Sequence, residues 1–133
     1  MVSAAGTVLA FNALQPKYAD LSLGHAYEVV FSNQTGDDVD FGTYTFYGAD
    51  ADPNDPCVPG AFAPLKIQPD CAPSQGVLDP TGTFSLTSQN PLRANSQCHV
   101  AIACPKQFIQ VFSQGAQELD IIAVITRLKR TGM

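Results

Sequence analysis

The chain has 133 residues, enough for one domain that buries a core without depending on staples. Only 14% of the residues are charged against 45% hydrophobic, with ten Pro and ten Gly, which argues against disorder and for a folded chain rich in turns. The net charge is −5; all twelve acids but only four of the seven basic residues precede residue 127, so the body carries −8, which argues against a nucleic-acid partner because phosphate contact needs a basic face.

The first residues, MVSAAGTVLAFNAL, have no basic stretch ahead of the apolar part, so they read as mature structure made in a cytoplasm and not as a secretory leader. No apolar run is long enough to cross a membrane as a helix. A first strand is expected over 7–14 and a second over 21–32, broken near Gly24. NQTGDD at 33–38 is a turn signal. Residues 39–47 alternate, with Val39, Phe41, Thr43, Thr45 and Tyr47 on one face and Asp40, Gly42, Tyr44 and Phe46 on the other. A Pro-rich loop is expected at 48–60, a short strand at 61–67 and a second long loop at 68–82. Further strands are expected at 83–88 and 97–104, and 108–113 with 119–128 read as a closing hairpin across SQGAQE. The stretch 121–125 is apolar on both faces and should be a central strand. The whole predicts a single all-β domain over 1–133, an antiparallel two-sheet β-sandwich of about eight strands. Plain sandwich and jelly-roll orders both remain open at this point.

Four features bear on chemistry. In GADADPNDPC, residues 48–57, Asp50, Asp52 and Asn54 alternate as the first ligands of a calcium loop do. The sixth and twelfth positions counted from Asp50 are Asp55 and Ala61, where such a loop needs Gly and Glu, and Pro53 lies inside. That leaves a looser calcium site on Asp50, Asp52 and Asp55, weighed against a solvated turn whose side chains cap their own backbone. The four cysteines form no CxxC pair, which argues against a zinc ribbon or redox motif. Cys98 and Cys104 on one extended strand would lie about 20 Å apart at roughly 3.3 Å per residue, beyond the ~7 Å between Cα atoms that a disulfide spans. Cys57 and Cys71 each sit in a Pro-rich loop and could meet in a bridge, with Cys98 and Cys104 as buried thiols, whereas in a cytoplasm all four would be reduced.

No nucleophile elbow, zinc-protease motif or phosphate loop is present, so neither an enzyme nor a cofactor is expected. Cys98 and His99 are neighbours and point to opposite faces of a strand, while Glu28 and Asp120 are the acids that a cleft could pair. Asn33-Gln34-Thr35 fits a glycosylation sequon. Tyr18, Tyr27, Tyr44 and Tyr47 could make a sugar-stacking platform, weakened by the lack of any Trp. Arg127, Lys129 and Arg130 form a basic ending that reads either as a solvated terminus or as a partner contact.

The stretches GHAYEVVFSNQTGDDV, DPNDPCVPG, PDCAPS and IIAVITRLKRTGM resemble the small β-rich accessory proteins of tailed-phage virions: head decoration, head-fibre and minor structural proteins. The similarity is one of style and carries no functional residue with it. It implies a non-enzymatic structural protein of the virion, bound to a capsid lattice, to other virion proteins or to copies of itself, with a trimer favoured. It implies neither a nucleic-acid nor a membrane partner. The alternative is an extracellular β-sandwich module that binds carbohydrate or calcium.

Overall fold

A computed structural model of the chain describes residues 2–11, 17–22, 24–71, 78–115 and 121–130. Period-two burial writes most of the strands. In β3 (Ala26–Asn33), Tyr27, Val29, Phe31 and Asn33 are buried while Glu28, Val30 and Ser32 are half-buried on the other face. The other strands are β1 (Val2–Phe11), β2 (Lys17–Asp20), β4 (Thr43–Ala49), β5 (Ala51–Asp52), β6 (Asp55–Pro59), β7 (Ala63–Pro64), β8 (Ile67–Asp70), β9 (Thr83–Ser85), β10 (Ser96–Ile102), β11 (Phe108–Gln114) and β12 (Ile121–Arg130). No helix occurs among the described residues.

Two antiparallel sheets pack face to face. The first runs β1-β12-β3-β10-β8 and the second β2-β11-β4-β7, with β9 also paired to β4. Setting aside β5 to β8, the remaining eight strands form two four-stranded sheets in the orders β1-β12-β3-β10 and β2-β11-β4-β9, and successive strands along the chain change sheet at every step except from β4 to β9, which pair with each other. That is the jelly-roll order, two interlocked Greek keys. Insertion of residues 51–70 between β4 and β9 adds the β5–β6 hairpin, extends the second sheet with β7 and adds β8 beside β10.

This alternation corrects the expected closing hairpin. β11 pairs β2 and β4, whereas β12 pairs β1 and β3 in the opposite sheet. β12 is an internal strand, as its two apolar faces required. The expected strand at 39–47 begins later, because Gly42 has φ +114° and breaks the extended run; Val39 forms an isolated bridge with Leu92 instead. The expected loop at 48–60 contains the β5–β6 hairpin. Residues 67–70 of the expected second loop are strand, while 72–77 lie outside the described residues. Pro69 is tolerated in β8 because that strand is the edge of its sheet.

The core is an aromatic seam between the sheets. Phe31 stacks on Phe84 at 4.4 Å and tilts against Tyr44 at 4.7 Å, and Phe11 reaches Tyr44 at 5.9 Å and Phe46 at 6.4 Å. Each such ring pair adds about 0.5–1.5 kcal/mol beyond the area it buries. Gly82 lets the seam close: at φ +69° it sits so tight on β4 that a Cβ would meet Phe46 O at 2.5 Å and Leu65 O at 2.6 Å.

Candidate functional site

The candidate calcium ligands do not converge. Asp52 Oδ1 accepts the Asn54 backbone N–H at 2.8 Å, and Asp55 Oδ1 accepts that of Cys57 at 3.0 Å. Asp50 pairs instead with the Lys106 ammonium at 3.4 Å. Each side chain thus serves its own turn or a neighbour, and no group of three His, Cys, Asp or Glu placed to hold a metal occurs among the described residues. The calcium reading of Asp50, Asp52 and Asp55 is corrected to a capped hairpin turn.

The disulfide is also not the expected one. Cys71 is bonded to Cys98, with Cα atoms 5.8 Å apart, and Cys57 is a free exposed thiol, as is Cys104. The reason is register. His99 opposes Asp70 in the β10–β8 pair, so Cys98 and Cys71 are the next opposed residues, and the bridge staples the edge strand to the sheet. As the strand period requires, Cys98 points into the core and His99 outward.

Asn33 cannot serve as a glycosylation acceptor in this fold. It is 1% exposed, and its amide Nδ2 donates to Asp37 O at 2.8 Å and to Leu92 O at 2.9 Å. Its Oδ1 accepts from the Thr35 backbone N–H at 3.0 Å and hydroxyl at 2.7 Å, so the sequon residues build the turn. Of the paired acids, Asp120 lies outside the described residues. Glu28 Oε1 lies 3.2 Å from His99 Nδ1 on the outer face of the first sheet. The basic ending is not a free tail through residue 130. Arg127, Lys129 and Arg130 belong to β12, with Arg127 opposite Gly6 and Tyr27, Lys129 opposite Ser3 and Arg130 opposite Val2. Arg127 is exposed, and residues 131–133 lie outside the described set.

The four tyrosines divide. Tyr27 and Tyr44 are buried in the core, but Tyr18 and Tyr47 share the outer face of the second sheet. In β11, Ile109, Val111 and Ser113 point inward and Phe108, Gln110, Phe112 and Gln114 point outward. Gln110 lies between Tyr18 of β2 and Tyr47 of β4, Phe112 opposes Thr45, and Gln114 opposes Thr43. Phe112 meets Tyr47 edge to face at 5.6 Å. Phe62 closes in from the segment before β7 and touches Tyr18 at 6.5 Å, while Tyr18 stacks on Phe108 at 5.9 Å. Desolvation by these neighbours, and then the Asp20 carboxylate, push the Tyr18 phenol above its ordinary value.

The result is a groove of about 460 Å³ lined by Thr45, Tyr47, Phe62, Gln110, Phe112 and Gln114. Phe62, Phe112 and the two glutamines were not singled out from the sequence, although FIQVFSQ alternates plainly enough to have placed three of them on one face. No protein-family profile, curated protein or solved structure matches the chain.

Proposed function

We propose that the chain is a non-enzymatic structural protein of a virus particle, of the decoration or minor structural kind, that binds a capsid lattice or copies of itself. The observation that carries this reading is the jelly-roll strand order of the two sheets, an architecture that viral capsid domains share with lectins and cupins. Fold alone fixes no activity, and the surface adds support. β1 borders the first sheet with a ten-residue edge whose outer side has no partner strand among the described residues. Such an edge can take a strand from a neighbouring subunit. Arg127 is exposed on the adjoining strand, where it would meet an acidic neighbour. The Cys71–Cys98 bridge suits a protein that works outside a reducing cytosol, as a released particle does.

Light scattering at two concentrations tests the self-binding part. The expected species is a trimer of about 42 kDa, three times the 14.1 kDa chain. A monomer at both concentrations would count against it.

A further inference from the structure

The groove on the outer face of the second sheet has a chemistry that the virion reading does not use. We infer that it is a binding site for a neutral oligosaccharide. Three observations carry this.

The first is the pairing of surface types. Tyr47, Phe62 and Phe112 present aromatic carbon, while Gln110, Gln114 and Thr45 stand among them. Each glutamine offers a carbonyl acceptor and two N–H donors, and the threonine and tyrosine hydroxyls both donate and accept. A pyranose ring carries the complementary pair: C–H faces that lie on aromatic rings, and adjacent hydroxyls that a single amide can bridge. The volume of about 460 Å³ falls within the roughly 300–1,000 Å³ typical of small-molecule sites.

The second is charge. None of the six lining residues is ionised at neutral pH, although the chain as a whole carries −5. A cationic peptide finds no carboxylate in the groove. An anionic glycan finds no cation there and meets the negative field of the domain. A neutral ligand matches both facts.

The third decides between a sugar and a second copy of the chain. A dry protein–protein contact here would bury two amides and two hydroxyls against aromatic rings. Each one left unpaired would cost about 1–3 kcal/mol. A sugar pairs them.

The test is an NMR titration of the intact protein with three neutral hexasaccharides, built on glucose, mannose and N-acetylglucosamine, and with a hyaluronan hexasaccharide as the charged control. At least one neutral hexasaccharide should shift the side-chain NH₂ signals of Gln110 and Gln114 and the Phe112 ring signals. Hyaluronan should leave them in place. Phe112→Ala, on an exposed side chain, should weaken that binding at least tenfold. Gln110→Glu, which keeps shape and adds charge, should weaken it several-fold and gives an independent reading if the first variant misfolds. The inference is overturned if none of the neutral sugars shifts these signals, if hyaluronan binds equally well, or if both variants bind as the parent does. It is also overturned if light scattering shows a self-association that Phe112→Ala abolishes, since the face would then belong to a second copy. An oligomer that Phe112→Ala leaves intact agrees with a groove free for sugar.

Discussion

Removing the Cys71–Cys98 bridge tests the register that ties β8 to the body of the sheet. β8 is four residues long, lies at an edge, and gives up one ladder donor at Pro69. Its buried residues, Ile67 and Pro69, depend on that strand staying docked. The bridged positions are 27 residues apart, and closing a loop of that length removes chain entropy worth about 3.5 kcal/mol from the unfolded state. Unfolding entropy of about 2.1 cal/mol/K per residue over 133 residues is about 280 cal/mol/K. The double variant Cys71→Ala/Cys98→Ala should therefore lower Tm by roughly 12 °C. Differential scanning calorimetry reads this directly, with guanidinium unfolding as a check on the free energy. A parallel thiol titration of the native protein should count two fast-reacting groups, Cys57 and Cys104. A loss below about 1 kcal/mol, or four reactive thiols without reductant, would refute the reasoning.

Gly82→Ala should destabilise by roughly 2–4 kcal/mol, measured by chemical unfolding, because the added methyl meets two backbone carbonyls at a left-handed φ. Asn33→Ala should cost about 1–2 kcal/mol, since it removes the amide donor from the Leu92 carbonyl, which keeps only the Val39 N–H, and unties the Thr35 turn. Asp38 accepts the Ala94 backbone N–H and pairs with Arg93, which hold its carboxyl below the ordinary value of 3.8. A carboxyl lowered by folding adds stability that is present above its unfolded value and fades as pH falls through the folded one. Thermal melts should accordingly show a gap between the parent and Asp38→Asn that is constant from pH 7 to about 4 and closes below that. A gap unchanged at pH 2 would count against the pairing.

Alternation made the faces of β3, β10 and β11 legible, because buried positions there recur at every second residue, Phe108 apart. What period two cannot show is which strands pair. SQGAQE looks like a hairpin turn, yet in this strand order β11 and β12 lie in opposite sheets, so a local turn signal misleads. The disulfide was missed for the same reason. Its partners are set by the register of β8 against β10, a non-local fact, and Pro69 made β8 read as loop. The Asp50–Asp55 spacing was visible, but a calcium loop and a run of self-capping turns share that spacing and differ only in where the oxygens point. Of the four tyrosines, two are core residues. Tyr18 and Tyr47 share the outer face of the second sheet, and their neighbours there are the phenylalanines and glutamines that a search for tyrosines passed over.

The most direct measurement of the central claim is the chain's place in particles. Virions purified on a density gradient from the producing cells, then digested and quantified by mass spectrometry, should contain the chain in many copies per particle, co-migrating with the capsid protein through a second gradient. Recovery of the chain only in the unassembled soluble fraction, with none on the particles, would contradict the account.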